Sequence, residues 1–576
     1  MKWLVISTLF LLSACAAGRA PLSQSVVQSP ELLESHCEEV AGPPRVEEVV
    51  PGVWVALGYD LANVILIETD KGHVLVDAGM SPARALPVRD YFREHLPGPI
   101  RAIIYTHSHI DHIGGASIWL EEDTEIWATE SFSEHVLKQY GVFQRAEAMR
   151  GQRQFGAHVP DESVPCSAIG RRPDVEEALE TGFRMPTHTF SGVKRLEVGG
   201  RTIELVEAHG ETHDQLFVWL PEERVLMPGD NYYHTFPNLY TLRGTAPRPV
   251  GAWIASLDAM RGYEPEVLLP AHTMPVHGSE EIQQRLRDYR DAIQWIRDDV
   301  VRHATAGKGL EEIVEAVALP PHLAKRPYLA ELYGQVDWSA RAIYTNELGW
   351  FDGRGELLYG LPASESARRE VLAMGGAAEV LEMARTAHRE GESRWAAHLL
   401  VKLGDSQMPL PIADAEWRGE LADVLEATAA EIANTNGRAY LLQTAHELRH
   451  GRTAFRPVVD EAVLEGIPLH SVFENMSVRL LPHRGMDVHE SVVWNFTDTG
   501  ERFVVTIRHG VAELVAGDSL PGTPEPLAVV TTDTTTWARL ALQIENPLAA
   551  VASGRLRIAG SQVGFLRFIN RFDRDL

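Results

Sequence analysis

Thr106-His107-Ser108-His109-Ile110-Asp111-His112 stands directly after the apolar run Ile100 to Tyr105 and just before Gly114-Gly115. Four side chains able to bind a metal fall within six residues in a HxHxDH pattern. On a loop leaving a strand, the alternating His107 and His109 can serve one cation while Asp111 and His112 turn toward a second. A polar turn with satisfied core histidines is the bland alternative, but it gives no reason for such density. Nitrogen and oxygen donors without sulfur suit zinc and also admit manganese or iron.

Upstream, Val64 to Glu68 and Val74 to Asp77 flank Asp70-Lys71-Gly72, a hairpin signal. From about residue 45 to 280 such β-rich runs alternate with amphipathic stretches, the pattern of a layered α/β domain. After Ile282, apolar residues recur every three or four positions (Leu286, Tyr289, Ile293, Ile296, Val300), which predicts a long helix opening a helical region. Beyond Arg452 the chain is β-rich again: Val492 to Phe496 and Phe503 to Ile507 flank Thr499-Gly500, and Leu556 to Phe572 reads as a strand followed by a helix. The expected division is a catalytic domain over 45–281, a helical domain over 282–451 and a small α+β domain over 458–576.

The HxHxDH stretch resembles the zinc-binding signature of the metallo-β-lactamase superfamily, and the resemblance implies an αββα sandwich and a dinuclear site. Three later segments then supply the remaining ligands. In Gly210-Glu211-Thr212-His213-Asp214-Gln215, Glu211 stands where many superfamily members carry histidine, a departure shared with the alkylsulfatase branch; His209 and His213 remain competitors for the role. Asp230, in Pro228-Gly229-Asp230, falls at the bridging-carboxylate position, where the better-known alkylsulfatases carry glutamate. His272 follows the strand-like Val267 to Leu269. The implied assignment places His107, His109 and Glu211 on one zinc, and Asp111, His112 and His272 on the other. Asp230 lies between them, with a hydroxide shared by two Zn2+ about 3.5 to 4 Å apart as nucleophile. Asp77 is expected to brace the loop by accepting a hydrogen bond from a ligand.

Asn238-Leu239-Tyr240-Thr241-Leu242-Arg243-Gly244 is similar to an alkylsulfatase stretch whose asparagine and arginine hold sulfate; an arginine fork beside two metals suits an anion with three charged oxygens. The resemblance extends to the helical region (Tyr333-Gly334, Arg341 to Tyr344, Gly349 to Gly353), which looks like a dimerisation domain and implies a homodimer. It extends also to residues 458–576, which resemble a sterol-carrier-like module whose apolar tunnel would take an alkyl chain, although Phe and Leu at that spacing also serve as plain core. Arg341 is expected to reach the sulfate. A histidine proposed as general acid in relatives is matched here by Trp338, leaving His234 as a weak candidate beside Asp111 and Asp230.

Composition narrows the partners. The chain of 576 residues carries a formal net charge of -27, which disfavours nucleic acid. The expected partner is a small sulfate ester with an apolar chain. Residues 1–14, an apolar run after Lys2 ending at Leu12-Ser13-Ala14-Cys15, read as a lipoprotein signal peptide. It implies a lipid on Cys15 and an outer-membrane anchor facing the periplasm, where Cys37 and Cys166 are permitted to pair. Two further readings stay open: a different ester, aryl sulfate or β-lactam as substrate, and a non-catalytic lipid-binding envelope lipoprotein.

Overall fold

The computed structural model describes residues 30–139, 141–173, 180–453, 458–459, 468–541 and 545–573. The segment read from the sequence as a lipoprotein signal, with its Cys15, lies outside them. The chain enters a first sheet through β1 (Arg45–Val50), β2 (Val53–Leu57), β3 (Val64–Thr69), β4 (Gly72–Val76), β5 (Ile100–Ile104) and β6 (Glu125–Thr129). After a short β7 (Glu180–Thr181), β8 (His188–Phe190) closes that sheet in the order β1-β2-β3-β4-β5-β6-β8. Pairing is antiparallel up to β4 and parallel from β4 to β8. A second sheet holds β9 (Val193–Val198), β10 (Arg201–Glu207), β11 (Leu216–Leu220), β12 (Val225–Met227), β13 (Val267–Leu268) and β14 (Val276–His277), ordered β14-β13-β12-β11-β10-β9.

Strand periodicity explains how the sheets stack. Along β3, Ile65 and Ile67 point toward the second sheet and share a core with Ile203, Leu205 and Val218, while Val64 and Leu66 point outward to Phe92 and Trp119. A sheet buried on both faces requires the continuous apolar runs seen in β3, β4 and β11. The outer face of the second sheet, through Phe217 and Trp219, meets the helix Val250–Gly262 and the helix Ser279–Thr305. The result is the expected αββα sandwich. The long helix assigned from sequence to the helical region therefore shares its core with the catalytic layers, because Ile282, Leu286 and Ile293 pack against them.

Helices from Ala363–Ala373 to Asp414–Ala430 form a separate apolar cluster. The next, Thr435–His450, returns to the catalytic domain, where Glu447 accepts a forked pair of bonds from Arg153. In the last domain β16 (His489–Phe496), β17 (Arg502–Arg508), β18 (Val511–Ala516), β19 (Pro526–Thr532) and β20 (Arg557–Gly560) make a five-stranded sheet. The helices Leu469–Val478, Thr534–Ala541 and Gln562–Ile569 pack on it. Between domains, Val458–Val459 pairs in parallel with β7.

Cys37 and Cys166 form a disulfide across 129 residues of chain, joining the N-terminal helix Pro30–His36 to the Cys166–Gly170 loop in a cluster with Leu61 and Met80. Closing so long a loop restricts the unfolded chain, which in the loop-entropy picture stabilises the fold by about 4 to 5 kcal/mol. Reduction, or Cys37→Ser with Cys166→Ser, is expected to lower the chemical-denaturation midpoint clearly; an unchanged midpoint would mean that the bond adds nothing.

Candidate metal centre

All seven sequence-assigned ligands meet at one edge of the two sheets. Their ligand atoms form three overlapping groups, His107 with His112 and Asp230, Asp111 with His112 and His272, and His109 with Glu211 and Asp230. Within each group the atoms lie within 4.8 Å of one another. Asp230 belongs to two groups, as a bridging carboxylate must. Its Oδ2 lies 3.1 Å from His272 Nε2, 3.5 Å from His112 Nε2 and 3.7 Å from His107 Nε2.

Local structure aims these atoms. The loop after β5 is anchored by Asp77, which accepts from Thr106 N at 2.8 Å, Thr106 Oγ1 at 2.9 Å and His112 Nδ1 at 2.7 Å. With Nδ1 engaged, His112 presents Nε2 to the cluster. His272 is set the same way, Nδ1 donating to Leu61 O at 2.7 Å. His107 and His109 differ in which nitrogen faces inward: His107 Nε2 and His109 Nδ1 lie 2.8 Å apart. Asp77 itself sits at φ +61°, an unusual conformation for a non-glycine residue, held at the strand end that delivers it. Gly114-Gly115 are needed for close approach: a Cβ on Gly114 would lie 1.8 Å from Met80 O, and one on Gly115 2.2 Å from Ala78 O.

Glu211 reaches the cluster because Gly210 lets the chain pass Asn231, whose Oδ1 would stand 1.8 Å from a Cβ there and accepts from Glu211 N. The competitors are engaged elsewhere, His209 with Glu207 at 2.8 Å and His213 with Pro247 O at 2.9 Å. The donor set fits divalent cations. Three carboxylates, Asp111, Glu211 and Asp230, are buried together, and Asp230 Oδ1, Glu211 Oε2 and His112 Nε2 find no hydrogen-bond partner among the described residues. Burial holds the His107 imidazole near 3, with His112 adding to the effect, so it stands ready as a neutral ligand. Burial would also neutralise His112, yet Asp230, Asp111 and Asp77 raise its proton affinity well above the ordinary value: the carboxylates create a field that favours positive charge where their oxygens converge.

Beside the cluster opens a cavity of about 1000 Å³. Its polar end is lined by Asp111, Glu211, Asp230, His272, Arg243, Arg248 and Tyr333. Its walls continue into the last domain through Val472, Met476, Trp537, Leu556, Phe565 and Phe572. Phe565 and Phe572 thus serve as core and as cavity wall at once. Gln154 sets the Arg243 loop, its Oε1 accepting from Arg243 N at 2.7 Å and Thr241 Oγ1 at 2.9 Å. Asn434 holds the Tyr333 segment through Tyr333 O and Gly334 O, and Gly334 lacks a side chain because a Cβ would lie 2.1 Å from Pro237 O.

Three expectations need correction. His234 does not face the cavity; its Nδ1 accepts from Arg285 Nη1 at 2.8 Å and its ring lies by His36 and Tyr328. Burial and then Arg285 depress it to about 3, so it holds no proton to give at neutral pH. Arg341 pairs with Glu311 at 2.6 and 2.7 Å and does not line the cavity, its side chain being directed to a neighbouring helix. Asn238 is buried, its backbone N donating to Tyr233 Oη at 2.7 Å and its Oδ1 without a partner among the described residues, and it too is absent from the lining. Trp338, which stands where relatives carry a histidine, packs against Gly437. Sequence reasoning passed over Arg248, Gln154 and Tyr333 as parts of the site; a lone arginine, glutamine or tyrosine carries no spacing signal.

Comparison with known proteins gives a consistent picture. Profiles described as metallo-beta-lactamase superfamily, alkyl sulfatase dimerisation and alkyl sulfatase C-terminal match residues 57–272, 309–451 and 457–575. A linear primary-alkylsulfatase of Pseudomonas sp. (strain ATCC 19151) is 33% identical over 473 residues, 78% of this chain and 88% of that protein. An (R)-specific secondary-alkylsulfatase of Pseudomonas sp. is 30% identical over 495 residues, 82% of this chain and 73% of that one. The solved structure of a stereoselective inverting sec-alkylsulfatase from Pseudomonas sp. superposes with a TM-score of 0.85 at 27% identity, covering 92% of this chain and 85% of that one.

Asp77→Asn should weaken metal binding by about 10- to 100-fold while the fold persists, measured by competition with a chelator. Glu211→Ala should lower the metal stoichiometry, whereas His209→Ala and His213→Ala should leave it unchanged. Loss of metal from either histidine variant would reassign the ligand.

Proposed function

Because the chain belongs to the metallo-β-lactamase-fold alkylsulfatase family, we propose that it hydrolyses sulfate esters of alkyl alcohols, converting ester and water to alcohol, sulfate and a proton. The observation that carries this reading is the continuous cavity running from the ligand cluster at one end to Trp537, Leu556 and Phe565 at the other. An amphiphile with an anionic head and an apolar tail matches that polarity end for end. The favoured cations are two zinc ions, held as assigned from the sequence, which when bound would supply Lewis acidity and an activated water. Arg243 anchors the sulfate from the cavity wall. Tyr333, whose hydroxyl is kept protonated chiefly by burial and then by Glu211 and Asp111, can donate a hydrogen bond to an oxygen of the ester.

The apolar walls exclude water from the ester and give each methylene of the tail a place to bury. The disulfide supports an oxidising compartment such as the periplasm, while the lipid anchor rests on the reading of Leu12 to Cys15 alone. Exposed Leu348, Trp350, Leu357, Tyr359 and Leu361, inside the stretch matching the dimerisation family, support a homodimer.

Purified protein should release sulfate from dodecyl sulfate, lose that activity on chelation and regain it with zinc, and Asp230→Ala should reduce it to background. Folded, zinc-loaded protein that releases none would refute the reading. Across a series of alkyl sulfates, kcat/KM should climb with chain length, by up to about fourfold per methylene buried. A flat series would show that the apolar walls take no part.

A further inference from the structure

The cavity meets the surface at a mouth with two lips. One is the helix Gln144–Phe155, whose Gln144 and Ala148 line the cavity, while Phe143 just before it is 68% exposed and Met149 also faces outward. The other belongs to the last domain. Leu566, in the helix Gln562–Ile569, lines the cavity and is still 54% exposed, so the cavity reaches solvent there. Val563, three positions earlier on that helix, and Leu548, next to the lining residue Pro547, are each 78% exposed. Arg479, which lines the cavity from the last domain, is held below the ordinary arginine value first by burial and then, against Asp573, by Arg145; the two lips therefore lie close together.

Single apolar side chains on a surface need no explanation, but four gathered at the opening of an apolar cavity do. The core has no use for them, since buried Phe565 and Phe568 carry the packing of the terminal helix. The surrounding charge selects the occupant. From Lys138 to Arg153 the chain holds four basic residues and one acidic, Glu147, in a protein of net charge -27. Arg145 and Arg150 are exposed on the first lip, and Arg567 is exposed beside Leu566 with Glu490 3.0 Å away. An apolar rim set among arginines fits a membrane with anionic headgroups, the apolar tips entering the acyl boundary while the guanidiniums stay at headgroup level. The anchor read at Cys15 would hold such a surface near: fourteen residues separate it from Pro30, a span of at most about 50 Å.

We propose that this mouth is a membrane-docking surface, seated on an anionic lipid bilayer so that an alkyl chain passes from the acyl layer into the cavity without crossing water. The inference rests on the reading of the cavity as an alkyl-chain site.

Sedimentation of the full chain with vesicles of equal parts phosphatidylcholine and phosphatidylglycerol tests it, every protein carrying Cys15→Ser so that no lipid is attached and residues 1–29 contribute alike. The parent should bind these vesicles, less tightly as salt rises, and the triple variant Phe143→Asp, Leu548→Asp, Val563→Asp should bind at least about tenfold more weakly. Release of sulfate from hexyl sulfate dissolved as monomers should be the same in both, because none of the three residues lines the cavity. Release from dodecyl sulfate held in the vesicles should fall in the variant. Equal binding by parent and variant, or equal binding of the parent to pure phosphatidylcholine, overturns the inference. So does a change of oligomeric state in the variant, which would make the rim an interface between copies. If the triple variant fails to fold, Leu548→Cys carrying a polarity-sensitive dye decides. Its emission should shift to the blue on the vesicles while the same dye on Val401→Cys, exposed in the helical region, does not shift; no shift from Leu548→Cys, or an equal shift from both, overturns the inference. Rim-dependent vesicle binding without sulfate release from any alkyl sulfate would sink the sulfatase reading and leave this one standing; release from hexyl sulfate without rim-dependent binding would do the reverse.

Discussion

Asp111, Glu211 and Asp230 put three carboxylates in a space almost closed to water, and the rest of the molecule is arranged around the cost of doing so. Buried anions of this kind persist only when positive charge or donors meet them. Four imidazoles, the Arg248 guanidinium and the converging geometry of the ligand atoms answer that requirement, and bound metal would answer it further. The strand ends that deliver these residues come from both sheets, and Leu216 N donating to Thr106 O ties the two edges together at the cluster. Asp77, in its unusual backbone conformation, converts that edge into a directed ligand by choosing which nitrogen His112 presents.

The other domains act on the site through specific contacts. The helical region does more than offer a surface for assembly: Asn434 and Asn436 fix the carbonyls around Tyr333 and so place its side chain in the cavity. The last domain supplies part of the apolar cavity wall, through Trp537, Leu556 and Phe565. The disulfide packs against Leu61, the residue whose carbonyl orients His272, and so links the N-terminal helix to the same network.

Much of this was legible in the chain. His107 to His112 announced a metal loop because four ligand-type side chains so close together at a strand end have little use except to hold a cation, and β-rich runs such as Val64 to Glu68 alternating with amphipathic stretches were enough to expect a layered α/β domain, with the αββα sandwich implied by the family resemblance. Glu211 was harder, since His209 and His213 offer the same chemistry within two residues; only the fold shows that those rings bond to Glu207 and Pro247 O. The errors share one cause. His234 and Arg341 lie close to the right segments, but proximity along the chain does not fix the direction of a side chain, and each is claimed by a partner distant in sequence, Arg285 and Glu311. Arg248 was invisible for the opposite reason: nothing about a lone arginine between two prolines suggests that it will be buried against a glutamate.

The proposed chemistry turns on these seven side chains enclosing two cations. Anomalous diffraction at the zinc edge, from crystals of the metal-loaded protein, tests it most directly. Two peaks are expected about 3.5 to 4 Å apart, one about 2.1 Å from His107 Nε2 and His109 Nδ1, the other at the same distance from His112 Nε2 and His272 Nε2, with Asp230 touching both. A single peak, or Glu211 turned away from both, would contradict it.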